Sequence, residues 1–278
     1  GANVSVKIDD DFMNSVVSGT SYKQQYPIDS NEPTTVKEID AAALWKKIIH
    51  NAWKSAEPGV LFWDTILRES VPDSYADLGF RTVSTNPCGE IPLCPYDSCR
   101  LLAINLYSYV LNPFTKDAYF DFDLFKKHVA LAQRIMDDII DLESEKIEKI
   151  LEKIDSDPES MEVKETERHL WEKIQKKTLQ GRRTGVGITA EGDMIAALGL
   201  RYGTDEATEC AEEIQKTLAL EAYRSSVMMA KERGAFEIYD SKREEKNPFI
   251  NRLREADPGL YEDMLKYGRR NIACLTIA

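Results

Sequence analysis

A surplus of positive charge is missing from this sequence. Its 278 residues hold 36 Lys and Arg against 48 Asp and Glu, a formal net charge of -12. That excludes a binder of nucleic-acid backbones and a basic membrane-surface protein, both of which need clustered cations. Long apolar runs are also missing, and none approaches the roughly 20 residues that span a bilayer. The N-terminus has no basic stretch followed by an apolar core and a small-residue cleavage site, so secretion is not expected. Cysteine is sparse and odd in number, at positions 88, 94, 99, 210 and 274. A secreted disulfide scaffold would use an even number at higher density. These absences point to a reducing cytoplasm, with neither membrane nor nucleic acid as partner. No internal repeat is visible.

What is present reads as alternating strands and helices. Residues 3–8 alternate apolar and polar like a strand, and 20–38 is a polar excursion with the character of a hairpin. A helix is expected from about Ile39 to Ala56, with Leu44, Ile48, Ala52 and Trp53 on one face and Pro58-Gly59 as its stop. Prolines 87, 92 and 95 with Gly89 exclude a regular helix from 79 to 99, which reads as an ordered loop. Residues 104–111 are strand-like. Helical spacing follows through Phe125, Val129, Ala132, Met136, Ile139 and Ile140 and on to Ile154, where Asp157-Pro158 breaks it. A second helix runs to about Leu179, its charges forming a solvated face. Thr204 caps a long helix stopped by Gly234, Asp257-Pro258 starts a short one to Tyr267, and 272–278 reads as a buried strand. The alternation is an α/β signature and favours parallel strands with helical crossovers. The chain opens on Gly1-Ala2-Asn3 and closes inside that last strand, where backbone groups would lack partners. It is therefore expected to be an internal piece of a longer protein.

Three of the five cysteines fall between 88 and 99, in the segment that carries the chemistry. Asn86, Cys88 and Glu90 stand at alternating positions; in an extended conformation their side chains would share one side. A thiol there can be a nucleophile, a metal ligand, a redox partner or a radical carrier. A carboxylate beside it can exchange a proton, and an amide can orient a hydroxyl without titrating. Cys99 is close enough in sequence to return to the same place as a redox thiol. Blander readings stand beside this one. Cys88, Cys94 and Cys99 could ligate a structural zinc, although their spacing fits a paired-cysteine knuckle poorly and no second pair follows. Cys88 could also be a buried thiol, as Cys210 on its helix and Cys274 in its strand read.

The segment Asn-Pro-Cys-Gly-Glu-Ile-Pro-Leu at 86–93, followed by Asp-Ser-Cys at 97–99 and Ala-Ile-Asn-Leu at 103–106, resembles the active-site stretch of ribonucleotide reductase large subunits. The similarity is closest to the adenosylcobalamin-dependent class, class II. Residues 1–6 and 11–13, 58–64, 181–187 and 271–278 also look like family sequence, so the resemblance covers essentially the whole chain. It implies that residues 1–278 are a fragment of the catalytic domain, a ten-stranded α/β barrel. A finger loop at about 79–99 would thread the barrel centre, and a helical excursion would run from about 121 to 180.

By the same resemblance, Cys88 carries the thiyl radical that takes the ribose 3′-hydrogen and Glu90 removes the 3′-hydroxyl proton. Asn86 binds the substrate and orients the group that leaves as water. Cys99 is one of two thiols oxidised to a disulfide. The implied cofactor is adenosylcobalamin, and no residue of this chain is singled out for holding it. The implied partners are a ribonucleoside di- or triphosphate, a nucleotide effector of the full-length protein, a thioredoxin-type reductant and a second copy in a homodimer. The partner of Cys99 and the effector site would lie upstream, and the phosphate loop and the disulfide-exchanging tail downstream, so this chain alone is expected to have no reductase activity. Two departures stand out. Cys94 replaces a residue that is usually not cysteine, which opens an alternative disulfide with Cys99. Arg100-Leu101-Leu102 replaces the more usual Asn-Leu-Gly. The rival classes are a glycyl-radical barrel enzyme and a zinc-stabilised helical interaction module without enzymatic activity.

Overall fold

The computed structural model describes residues 3–28, 30–98 and 100–276. They divide into two compact units, one formed by Gly1–Ser70 with Pro87–Gly89 and the other by Val71–Asn86 with Glu90–Ala278.

The first unit begins with β1 (Ser5–Ile8), α1 (Asp10–Ser18) and the antiparallel hairpin of β2 (Ser21–Tyr26) and β3 (Thr35–Asp40). It continues through α2 (Ala41–Ser55), β4 (Gly59–Phe62) and α3 (Trp63–Glu69). Strands β1 and β4 are parallel, in register from Ser5 opposite Gly59 to Ile8 opposite Phe62. Asp9 caps α1 by accepting from the Phe12 amide at 2.7 Å, and its other oxygen accepts from the Tyr22 hydroxyl at 2.6 Å. Asp40 caps α2. A small core of Ile8, Phe12 and Ala41 holds these elements together. The expected helix over 39–56 is α2, but only part of its predicted apolar face is covered. Ile48 is buried while Trp53 is 80% exposed.

The second unit opens with a 3-10 stretch, Pro72–Leu78, and a short antiparallel hairpin of β5 (Ser84–Thr85) and β6 (Pro92–Leu93). After β7 (Leu102–Asn105) come a 3-10 turn (Leu106–Tyr109), β8 (Val110–Leu111), β9 (Tyr119–Phe120) and the long helices α4 (Phe122–Ser156) and α5 (Met161–Gly181). The order then runs β10 (Val186–Thr189), α6 (Glu191–Ala197), α7 (Asp205–Arg233), α8 (Ser241–Glu244), α9 (Pro248–Ala256) and α10 (Pro258–Tyr267). The 104–111 strand expected from sequence is interrupted. Leu106 and Tyr109 turn inward and are buried, Tyr109 against Phe120 and Phe125, and burying both requires the backbone to leave the strand.

Helix α4 extends about 52 Å at 1.5 Å per residue. Asp121 caps it, and Phe125, Val129, Ala132, Met136, Ile140, Ile147 and Ile154 lie buried along one side. Each large apolar side chain so buried contributes about 1.5–3 kcal/mol. Strands β7 and β10 are parallel, and residues 272–276 run on the other side of β10, bridged at Val186 and Leu275. The α/β expectation with parallel strands and helical crossovers therefore holds. Among the described residues the strands form pairs, and no closed barrel is present. No described helix is long and apolar enough to cross a membrane.

Candidate active site

The segment singled out by sequence is the tip of the β5–β6 hairpin. The Val83 amide donates to the Leu93 carbonyl at 3.0 Å and the Asn86 amide to the Ile91 carbonyl at 3.2 Å, which closes the loop. The Asn86 side chain adds a clasp, its carbonyl oxygen accepting from the Ile91 amide at 3.0 Å. This fixes the orientation of the carboxamide and leaves its NH2 group without a partner among the described residues. The tip is not in the extended conformation that the alternation of Asn86, Cys88 and Glu90 presupposes. Residues 87–88 form a turn and Gly89 takes φ +85°, a left-handed conformation suited to glycine. Pro87, with its fixed φ and no amide hydrogen, favours that turn over a ladder.

Cys88 is exposed and its thiol is free. Within the first unit, the Asn3 side-chain amide donates to the Pro87 carbonyl at 3.1 Å. A Cβ added at Gly89 would stand 3.3 Å from Leu61 Cδ2. Glu90 belongs to the second unit, where its Oε2 is buried with no hydrogen-bond partner. A carboxylate oxygen withdrawn from water without a donor is costly, and a hydroxyl delivered to it would relieve that cost.

Cys99 lies outside the described residues, but its neighbours show how the segment is held. Cys94 is buried beside Tyr75, Phe80, Phe236 and Ile272. Its thiol donates to Asp97 at 3.5 Å, and burial, followed by the Asp97 charge, pushes it up to about 12. Asp97 in turn faces Arg183, Nε to Oδ2 2.7 Å, in a charge contact rather than an aligned hydrogen bond. On the other side, Arg100 is buried and donates to the Arg183 carbonyl at 2.9 Å and to Thr178 Oγ1 at 2.9 Å. It also pairs with Glu143 of α4. The Arg100 departure noted in the sequence is thus an anchor between the start of β7 and the two long helices. Asn3, Asp97, Arg100 and Arg183 were not among the predicted site residues. Their long-range partners lie tens of residues away, so the family-like segments and the Arg100 departure drew attention to their neighbourhoods but not to their contacts. Cys274 is fully buried and its thiol is pushed up to about 12 by burial, while Cys210 is half-buried rather than a core residue. Among the described residues no three His, Cys, Asp or Glu side chains are grouped to hold a metal.

The sequence model of the family described as "Ribonucleotide reductase, barrel domain" matches residues 2–278. The chain belongs to that reductase family. A vitamin B12-dependent ribonucleoside-diphosphate reductase of Thermoplasma acidophilum is 33% identical over 237 residues, covering 84% of this chain and 26% of the relative. One of the same name from Mycobacterium tuberculosis is 28% identical over 241 residues, covering 87% and 30%. The reductase chain thus spans under a third of the length of these curated relatives. Among solved structures, the Actinobacillus ureae class Id ribonucleotide reductase alpha subunit superposes with a TM-score of 0.61 at 18% identity. That match covers 99% of this chain and 40% of the other, and shares its fold. Membership in the reductase family sets aside the zinc-stabilised module and the glycyl-radical enzyme as readings of the whole chain.

Proposed function

We propose that this chain carries the reactive hairpin of a ribonucleotide reductase catalytic subunit, as part of the ten-stranded α/β barrel, with residues 79–99 as its central finger and 121–180 as a helical excursion. The names of the two curated relatives favour a ribonucleoside diphosphate as substrate and adenosylcobalamin as cofactor. The observation that carries the reading is the hairpin tip. It presents an accessible thiol in a Pro-Cys-Gly turn, an Asn86 amide clasped so that its NH2 group is left to donate, and a buried Glu90 oxygen lacking a donor.

In this reading the Cys88 sulfur radical takes the 3′-hydrogen of the ribose, forming S–H and leaving a carbon radical. Glu90 accepts the 3′-hydroxyl proton, Asn86 donates to the substrate, and Cys99 with a second thiol supplies two electrons as the leaving hydroxyl departs as water. Positioning is the larger part of such catalysis, since a sulfur radical must be held against one C–H bond and away from water. Adenosylcobalamin, when bound, supplies the initial radical. The exposed Cys88 thiol fits that role, because it must be reached from outside the hairpin; water exclusion then falls to parts of the subunit beyond this chain. The reducing equivalents come from a thioredoxin-type protein, a nucleotide effector acts on the full-length homodimer, and the setting is the cytoplasm.

The test is Cys88→Ser in the full-length enzyme, assayed for deoxyribonucleotide product with adenosylcobalamin and a dithiol reductant. Loss of product to background is expected, and product at the wild-type rate would end the proposal. Titration with adenosylcobalamin tests the class. Absence of binding, with activity restored by a metal-bearing second subunit, would overturn the class II assignment.

A further inference from the structure

We propose that Asn3 is a positioning residue for the Cys88 sulfur, an inference that rests on the radical role of Cys88 proposed above. Among the described residues, the 3.1 Å bond from its amide to the Pro87 carbonyl is the one side-chain hydrogen bond made to residues 87–89, and it links positions 84 residues apart. That carbonyl belongs to the peptide group joining Pro87 to Cys88. Because the peptide is planar, fixing its oxygen also fixes the Cys88 nitrogen on the opposite side. With φ of Pro87 already restricted by its ring, little freedom remains in the backbone leading into the cysteine.

Asn3 can act in this way because the backbone immediately after it is held. Val4 accepts from the Gly59 amide at 2.8 Å, one residue before the β1–β4 register begins at Ser5 and Gly59. The residue on the other side of Cys88, Gly89, faces the same strand pair. Leu61, opposite Lys7 in that register, lies 3.3 Å from where a Gly89 Cβ would be. Both neighbours of the reactive residue therefore face one pair of parallel strands: Asn3 supplies the hydrogen bond, and Leu61 leaves position 89 little room for a side chain. For hydrogen transfer, in which the S–H bond forms as the C3′–H bond breaks, the distance from sulfur to hydrogen decides the rate. A displacement of about 1 Å can lower it on the order of 100-fold.

The experiment compares the full-length enzyme with Asn3→Asp and Asn3→Ala. Asp keeps the shape but replaces the donor with a carboxylate facing a carbonyl. The expected result is a fall in kcat of tenfold or more with KM little changed, the magnitude following from displacement of the sulfur. The isotope effect on kcat with a 3′-deuterated substrate should rise, as hydrogen transfer becomes rate-limiting. Wild-type kcat and isotope effect in both variants would overturn the proposal. So would a fall in kcat with an unchanged isotope effect, which would assign Asn3 to folding or substrate entry. Leu61→Ala gives an independent reading should Asn3 variants fold poorly: it too should raise the isotope effect, and a wild-type value would count against the strand-pair support. Activity in Cys88→Ser would instead remove the radical role itself, so the two failures are distinguishable.

Discussion

At the scale of single residues, the free thiols of Cys88, Cys94 and Cys274 differ in environment rather than in chemistry. Cys88 stands exposed at a turn, while burial, with the Asp97 charge added at Cys94, pushes Cys94 and Cys274 up to about 12. Only the thiolate is alkylated. Iodoacetamide at pH 8 should therefore label Cys88 in the folded 278-residue chain and reach Cys94 and Cys274 only after unfolding, as peptide mapping would show. Equal rates at Cys88 and Cys94 would contradict the burial of Cys94. The same shifts make stability depend on alkaline pH. The unfolded chain ionises these thiols near their ordinary value of 9.0, whereas the folded chain holds them neutral. Their contribution is complete below about pH 9 and is lost as pH rises towards 12, so the urea midpoint should fall across that window. Asn86, Cys88 and Glu90 could be grouped as a candidate site because one short motif holds all three. The contacts of Asn3 and Arg100 could not be read there, since a hydrogen bond across 84 residues, or a guanidinium reaching two helices, leaves no local pattern.

At the scale of elements, the helices were read well where capping chemistry is local. Thr204 accepts from the Ala207 amide at the start of α7, and Asp257 accepts from the Leu260 amide at 2.8 Å at the start of α10, both where the sequence placed them. Thr204→Ala should cost about 1 kcal/mol in chemical denaturation, while Thr204→Ser should retain most of it. No loss in Thr204→Ala would mean that the end of α7 is held by packing alone. The long strand over 104–111 was misread because a run of apolar residues does not distinguish an uninterrupted strand from a strand, a 3-10 turn and a second short strand. Trp53 was misplaced for a related reason. Helical spacing assigns a face, but only a neighbouring element decides whether that face is covered.

At the scale of the whole second unit, a polar network joins segments far apart in sequence. Asp137 is fully buried on α4 and accepts from Arg182 Nε at 2.8 Å and from Asn271 Nδ2 at 2.9 Å. Arg270 Nε reaches its other oxygen at 3.3 Å. Gln133 bonds to both Thr184 and Asn271, and Ser226 of α7 donates to Asn271 at 2.8 Å. Asp137→Ala should destabilise the fold by about 3–5 kcal/mol, because it removes the buried partner of the Arg182 guanidinium and leaves it only the half-exposed Asp141. Adding Arg182→Ala should cost less than the sum of the two changes, and strict additivity in urea titrations would show that the groups do not act together. None of this was visible beforehand, since polar residues at 133, 137 and 271 look like surface positions until three chain segments meet around them.

The strand pairs are only a few residues long, and residues 272–276 meet β10 through a single bridge and a few amide bonds. So short a ladder discriminates poorly against a one-step slip, which would exchange its inward and outward faces. Alignment is instead encoded by the amide of Asn271, which fits simultaneously against Asp137, Ser226, Gln133 and the Arg182 carbonyl in one arrangement. The address of the 272–276 segment is thus written in its polar flank. An aliphatic exchange within β7 or β10 leaves that address readable, whereas losing one carboxamide at 271 erases it.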